Sequence, residues 1–408
     1  MKLLHTSDWH VGKKIRGHSR AGEHIAVLEE IASIASENLV DLILVAGDLF
    51  ETAAPTAESE KIVYKALLDM AEVAPVAVIA GNHDNARRLQ AIAPLLQLGR
   101  VTMVTEPKSP QDGGVATFEG PDNQVCKLVM LPFVSQRSIV KTESLMSNEA
   151  FQNAQTYTHR MAQVIDVMCK GFEDDTINIV MAHAFVSGSI AGGGERAAHI
   201  ADEYSIGSLA FPVAANYVAL GHLHRPQKVQ GQTAIHYCGS PLQMDFGESD
   251  DVKQVNIIDV APGLPAKVNP VTLKSGNRLV TITGNMATVA GQAEHISDTD
   301  WIKVKLDEPY RVGIADEVKE LLGERVVDVK IETTKQVSTK KTRMKDDRSH
   351  QDLFKDYLGE KEILDESLVS AFIELYDEVE EAERETDAID ISKSEAMQAT
   401  LGLFEDSK

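Results

Sequence analysis

The sequence predicts an α/β protein, and two observations carry that prediction. Short apolar runs of strand length alternate with amphipathic stretches of helix length through the first hundred residues. Metal-preferring side chains then follow such runs directly, and open α/β sheets collect their functional groups at the carboxyl ends of strands.

Taken in order, Lys2–Thr6 reads as a strand, 18–37 as a helix and 41–46 as a buried strand. A helix over 57–72 and a strand over 76–80 follow. Further strands are expected at 126–131, 178–182, 217–220, 234–237 and 255–260, with 261–269 as a connection. A smaller β-α-β-α-β unit is read from 278–283, 285–295, 301–306, 313–322 and a last strand marked by Val327, Val329 and Ile331. Its alternation has the period of two expected of half-buried strands. The domain expectation is therefore 1–270 as the main body, 278–333 as a small α+β domain, 334–350 as a polar linker, 351–385 as a helical segment and 386–408 as an acidic tail.

Composition narrows the class. A chain of 408 residues corresponds to two or three domains at ~150 residues each. With 43% hydrophobic and 25% charged residues it is neither collagen-like nor low-complexity. No apolar run approaches the ~18 residues of a membrane helix, and Asp8 and His10 precede any apolar leader, so a cytoplasmic, nucleoid-associated protein is expected. Cys126, Cys169 and Cys238 are scattered and odd in number, which argues against a disulfide framework and a zinc finger. The net charge of −22 weakens a nucleic-acid reading. It is uneven, however: from His350 to Lys408 there are 18 acidic and 5 basic residues, which leaves −9 for the first 349.

Five segments carry the chemistry: Asp8-Trp9-His10, Gly47-Asp48, Gly81-Asn82-His83-Asp84, His183 and Gly221-His222-Leu223-His224. A lone D-x-H is common and a lone histidine is usually structural; the order of all five, each after a strand, is not. Between them they offer carboxylates, imidazoles and an amide oxygen without thiolate, a set that suits Mn²⁺, Fe²⁺ or Zn²⁺ better than Ca²⁺ or a structural zinc. Seven groups suffice for two ions if one carboxylate bridges. Two ions ~3.5–4 Å apart can clamp the attacking and leaving oxygens of a phosphoryl displacement. The D-x-H and H-x-H spacings put alternate side chains on one side of an extended segment.

In this motif order the chain resembles the calcineurin-like metallophosphoesterase superfamily, and within it the bacterial DNA-repair nuclease subunits. The blocks LLHTSDWHVGK, VAGDLFETAAP and YVALGHLHRPQKV with IHYCGSPLQMDFGE carry the resemblance, which is specific from Met1 to about Glu248. It implies a β-sandwich flanked by helices, with 1–270 as the nuclease domain and 278–333 as a capping, DNA-binding domain, and two divalent ions, Mn²⁺ first among them. It further implies Asp8, His10 and His224 on one ion, Asn82, His183 and His222 on the other, and Asp48 between them. His83 would not be a ligand; it would protonate or stabilise the leaving oxygen, with Asp84 orienting its ring. Archaeal and eukaryotic relatives have a histidine near the position of Glu51, a departure that leaves Glu51 the task of orienting a neighbour.

Three functions compete. The first is an Mn²⁺-dependent nuclease, a double-strand exonuclease and single-strand endonuclease, that acts with an ATPase partner on DNA ends and hairpins in repair and recombination. The second is a small-molecule or protein phosphoesterase on the same core. The third is a non-catalytic scaffold, disfavoured because every ligand position is filled. The second leaves the small domain, the linker and the helical segment without a purpose. Lys13, Lys14, Arg16 and Arg20 follow the first motif, Arg87 and Arg88 the third, and Arg225 and Lys228 the fifth, where they are placed for phosphate contacts. No base-reading motif is present. In 351–385, Leu353, Phe354, Tyr357 and Leu358 form one apolar cluster, and Leu368, Phe372, Leu375 and Val379 one helical stripe, read as the ATPase-docking element. The resemblance adds a two-fold dimer, within a heterotetramer, built on apolar residues of 57–72 and 85–98.

Overall fold

A computed structural model describes residues 1–135, 139, 157–192, 195, 205–293 and 295–331, all of them inside one compact unit, Met1–Thr334. The expected linker, docking segment and acidic tail lie outside the described residues.

The amino-terminal half runs β1 (Lys2–Thr6), a short hairpin β2 (Lys14–Ile15) and β3 (His18–Ser19), α1 (Ala21–Glu37), β4 (Leu42–Val45), α2 (Ala57–Val73), β5 (Val76–Ile79), α3 (Ala86–Leu98) and β6 (Val101–Val104). The second half runs β7 (Val115–Glu119), β8 (Val125–Leu131), α4 (Tyr157–Cys169), β9 (Ile177–His183), β10 (Tyr217–Gly221), β11 (Gln227–Val229), β12 (Ala234–Tyr237), β13 (Gln254–Asp259) and β14 (Lys267–Thr272).

These strands form two six-stranded sheets, β14-β13-β1-β4-β5-β6 and β11-β12-β10-β9-β8-β7. The first has four parallel strands, β1, β4, β5 and β6, with β13 and β14 added by antiparallel pairing beyond β1; the second has four central parallel strands between two antiparallel edges. The parallel strands are buried on both faces, which is why they read as unbroken apolar runs such as LILV. Leu3, Leu42, Leu44 and Ile79 pack against Leu128, Ile179 and Met181 between the sheets. Leu4, Ile43 and Val45 point the other way, into the layer of α1 and α2, and Val129 and Val180 face α4. The result is a four-layer α/β/β/α sandwich.

Two boundaries differ from the sequence expectation. The helix predicted over 18–37 begins at Ala21; His18 and Ser19 instead pair with Ile15 and Lys14, through a turn in which Arg16 and Gly17 both have positive φ. The connection predicted over 261–269 contains the start of β14, which pairs with β13. Pro270 hides that strand, and it is tolerated there because an edge strand leaves one side of its backbone unpaired.

The last elements, β15 (Leu279–Gly284), α5 (Met286–Ala293), β16 (Trp301–Leu306), α6 (Ile314–Leu322) and β17 (Val326–Ile331), form a parallel sheet in the order β15-β16-β17 around a separate core of Val289, Ile302, Val304 and Val318. Glu23, at the start of α1, ties this unit to the body. Its carboxylate accepts from Trp301 Nε1 at 2.9 Å and from the Asn277 amide at 2.8 Å, and it pairs with the buried Arg20 guanidinium at 2.7 Å. Ile15, Phe246 and Leu279 pack beside that link.

Candidate metal centre

All seven predicted donors converge on the carboxyl ends of the central strands. Asp8 and His10 follow β1, Asp48 follows β4, Asn82 follows β5, His183 ends β9, and His222 and His224 follow β10. Asp8, His10, Asp48 and His222 adopt positive φ of 53°, 47°, 52° and 104°, a conformation that costs non-glycine residues energy and that clusters where side chains must be aimed. Two glycines make the approach possible. A Cβ on Gly81 would collide with the Asp48 carboxylate, and one on Gly221 with the Ala46 carbonyl.

The donors form two groups. In the first, Nε2 of His10 and Nε2 of His224 lie 3.0 Å apart, and Asp8, His10 and His224 each bring one atom within 4.8 Å of the others. In the second, the Asn82 amide oxygen lies 3.0 Å from His183 Nε2 and 2.8 Å from His222 Nδ1. Asp48 stands between the groups, its Oδ2 at 3.6 Å from His10 Nε2 and 3.4 Å from His183 Nε2.

The partners behind the rings fix which atom faces inward. His183 Nδ1 donates to the Ala46 carbonyl at 2.8 Å. His224 Nδ1 lies 2.9 Å from the Glu248 carboxylate, and His10 Nδ1 lies 3.0 Å from that of Glu51. A neutral imidazole has one N–H, so once Nδ1 holds it each ring turns a lone pair inward. Lone pairs held ~3 Å apart repel unless a proton or a cation lies between them. This mixed N/O set, with its outer oxygens already in place, suits a borderline divalent ion.

Without an ion, a proton takes up this role at His183: burial would lower its pKa, but the Asp48 charge outweighs burial and raises it to about 9. Burial alone would raise the Asp48 pKa, but the facing imidazole of His183 outweighs it and holds the carboxyl well below its usual range. Burial would likewise raise Glu248, but His224 and Lys253 keep it down at about 2. Lys253 Nζ is itself buried, 2.7 Å from Glu248, and also donates to the His224 carbonyl and to Ser240 Oγ, each at 3.0 Å.

His83 and Asp84 correct one expectation. Asp84 does not orient the His83 ring. Its carboxylate accepts backbone N–H bonds from Gly81 at 2.9 Å, Phe50 at 3.1 Å and Leu49 at 3.2 Å, which pins the loop after β4 to the loop after β5. Three amide donors that converge on one point outcompete a single imidazole. Burial and then the Asp48 charge push this carboxyl up to about 7. The His83 ring is held instead by the Glu51 backbone carbonyl, 2.7 Å from its Nδ1. It stands edge-on to His10 with ring centres 4.6 Å apart, half-buried, and its backbone N–H donates to Asp48 at 2.8 Å. A His83 ring nitrogen also comes within 4.8 Å of donors of His10 and Asp48.

Sequence reasoning missed Glu248, Lys253 and Phe133. The ring of Phe133 stacks on His222 with centres 6.0 Å apart. Nothing marks them in advance; a lone glutamate, lysine or phenylalanine carries no spacing signal.

The predicted phosphate-contacting residues are mostly engaged. Lys13 pairs with Glu51 at 2.8 Å, Arg16 with Asp328 at 3.1 Å, Arg88 with Glu60 at 2.8 Å and Arg225 with Asp251 at 2.9 Å. Arg20 is buried. Lys14 and Arg87 are exposed.

Comparison with known proteins places the chain in a family. Residues 1–226 match the model of the calcineurin-like phosphoesterases. The SbcD chain of the SbcCD nuclease of Bacillus subtilis is 34% identical over 69% of this chain and 71% of its own. Its namesakes from Escherichia coli K12 and Rhodobacter capsulatus are 27% and 31% identical, over 75% and 66% of this chain and 78% and 69% of theirs.

Proposed function

The chain belongs to the calcineurin-like phosphoesterase family and, within it, to the SbcD nucleases, and from that premise we propose the working of its centre. The enzyme is a metal-dependent phosphodiester hydrolase, a nuclease. The finer reading is that Asp8, His10 and His224 hold one divalent ion and Asn82, His183 and His222 a second, with Asp48 shared, and that Mn²⁺ is the ion used. One observation carries it: two groups of nitrogen and oxygen donors lie on either side of one ionised carboxylate.

Bound ions supply a polarised scissile phosphate and an activated water. The chain's own residues do the rest. Ala46 and Glu248 keep the His183 and His224 rings in one tautomer. Asp84 fixes the loop that carries Asn82 and His83. His83 lies beside the donors but retains access to solvent, as a group that meets the leaving oxygen requires. With the Nδ1 proton committed to the Glu51 carbonyl, Nε2 is the atom that meets the leaving oxygen, and it hands over a proton from the ring protonated at both nitrogens.

The substrate in this reading is double-stranded DNA at ends and hairpins, cut exonucleolytically, and single-stranded DNA cut endonucleolytically, in concert with an SbcC-type ATPase docked on 351–385. Lys14, exposed in β2 after the first motif, and Arg87, exposed in the first turn of α3 after the third, are placed for phosphate. A two-fold dimer within a heterotetramer is supported by α2 and α3. Most of their apolar residues serve their own core, but Leu68, Leu95 and Leu98 remain 41%, 63% and 86% exposed, and α3 ends at Gly99, against Leu68. Isologous contacts of this kind suit paired ends.

Pure protein, assayed with Mn²⁺ on linear duplex DNA and on a nucleotide monoester, with and without the ATPase, separates the readings. Degradation of DNA stimulated by the ATPase is expected. Turnover of the monoester alone would favour a small-molecule phosphoesterase.

A further inference from the structure

The block IHYCGSPLQ supplies none of the seven donors, yet it touches the chain at three of them. Tyr237 donates its hydroxyl hydrogen to the Ala184 carbonyl, next to His183, at 2.7 Å and accepts from the Val186 amide at 2.9 Å. The Ser240 amide donates to the His224 carbonyl at 3.1 Å. Between these two, Cys238 Sγ lies 3.1 Å from Oγ of Ser7, the residue before Asp8.

Ser7, Asp8 and Cys238 are all fully buried. In an extended strand, neighbouring side chains point to opposite faces. The positive φ of Asp8, 53°, breaks that alternation and lets its carboxylate meet the side chain one residue back. Ser7 Oγ lies 2.5 Å from Asp8 Oδ2, 3.1 Å from Cys238 Sγ and 3.4 Å from the Gly239 carbonyl. A hydroxyl has one hydrogen to give. The ionised carboxylate is the nearest and strongest of the three acceptors, so the hydrogen goes to Asp8, and the thiol can donate its own to Ser7 Oγ. The His222 amide also donates to Asp8, at 2.9 Å from Oδ1 and 3.2 Å from Oδ2. An amide shared by both oxygens is a pivot about which a carboxylate can still turn. The hydroxyl reaches Oδ2 alone and stops that turn. The lone pairs left over serve the group in which Asp8, His10 and His224 each bring one atom within 4.8 Å of the others.

We propose that Ser7 is a positioning residue whose hydroxyl, resting on Cys238, locks the Asp8 carboxylate in the orientation that holds an ion. This rests on the reading above in which Asp8 is a metal donor. Ser7 itself touches no ion in that reading and acts through Asp8.

The test is calorimetric titration of the metal-free full chain with Mn²⁺, beside a nuclease assay over a range of Mn²⁺ concentrations. Asp8→Ala identifies the binding event that depends on Asp8. Ser7→Ala removes one oxygen and should weaken that same event by about 10–100-fold, the usual cost of losing a partner behind a metal ligand. The Mn²⁺ concentration for half-maximal activity should rise by a similar factor, while the rate at saturating Mn²⁺ falls less. Cys238→Ala, which removes the thiol on which the hydroxyl rests, should weaken the same event by a smaller factor. Cys126→Ala deletes a buried sulfur between the sheets near the start of β8, away from the donors, and should leave Mn²⁺ binding unchanged. Wild-type Mn²⁺ affinity in both Ser7→Ala and Cys238→Ala, or in the one of them that folds, would overturn the inference and spare the donor reading. Equal weakening in Cys126→Ala would show general loosening rather than positioning, and would also overturn it. Mn²⁺ binding left intact in Asp8→Ala would overturn the donor reading and this inference with it.

Discussion

The backbone carbonyl oxygen of Glu51 lies 2.7 Å from Nδ1 of His83. A carbonyl can only accept, so this contact places an N–H on Nδ1 and leaves Nε2 as the nitrogen free of that bond. A group held in this way is oriented by the main chain, and no nearby side chain can be mutated to release it.

His83→Gln should therefore separate chemistry from binding. Both ions should remain bound, and turnover should fall by the ~10²–10⁴-fold typical of lost acid–base help. Metal content and rate are measured on the same preparation. Loss of an ion in this variant would make His83 a ligand, an outcome that its closeness to His10 and Asp48 leaves geometrically open.

Asp48→Ala should behave in the opposite way. Asp48 faces donors of both groups, so its removal should abolish hydrolysis and weaken both binding events. Removal of His183, whose Nε2 meets the Asn82 oxygen at 3.0 Å, should abolish hydrolysis and weaken the event of that group most. Calorimetry beside a nuclease assay checks both.

Much of this centre is legible in the sequence because its donors follow strands directly, so spacing along the chain maps onto position in space. Asp8 and His10 are two residues apart and belong to one group; so are His222 and His224, which divide between the two. The parallel strands are legible because burial on both faces writes them as apolar runs. What is not legible has a physical reason in each case. Adjacency in the chain suggests Asp84 for the His83 ring, but three amides converge on its carboxylate. Pro270 hides β14, because only three-dimensional pairing shows that the strand is at an edge. Glu248 and Lys253 act through contacts that no periodicity records. Helix α4 escapes the sequence reading: its apolar side, Met161, Val164, Ile165 and Met168, carries no motif to draw the eye.

Acid should destabilise the fold partly through His24. This histidine is buried against the Arg20 and Trp9 carbonyls, and burial, then the Arg20 charge, lowers its pKa from 6.5 to about 4. The unfolded chain takes up this proton near pH 6.5 and the folded chain near pH 4. Between those values the unfolded state binds more protons, so stability falls as the pH is lowered, by about 1.4 kcal/mol per unit from this group. The effect is absent above pH 6.5. Urea unfolding of the wild type and His24→Gln between pH 7 and pH 5 should give a shallower pH slope for the variant, whatever its absolute stability.

Truncation after Ser349 tests the docking segment. Leu368, Phe372, Leu375 and Val379 recur at spacings of four, three and four, which places them on one helical stripe. Burying them yields ~6–12 kcal/mol gross, against ~4–15 kcal/mol for association, so tight binding requires the first cluster or a second copy as well. The truncated chain should lose co-purification with the ATPase and keep its own Mn²⁺-dependent nuclease activity. Undiminished co-purification would remove the docking role.

The central claim is that seven side chains hold two ions with Asp48 between them. Anomalous diffraction at the manganese edge, from crystals grown with Mn²⁺, tests it most directly. The account predicts two peaks, one enclosed by Asp8, His10 and His224 and the other by Asn82, His183 and His222, with the Asp48 carboxylate touching both and His83 touching neither. A single peak, or His83 Nε2 in contact with an ion, would contradict it.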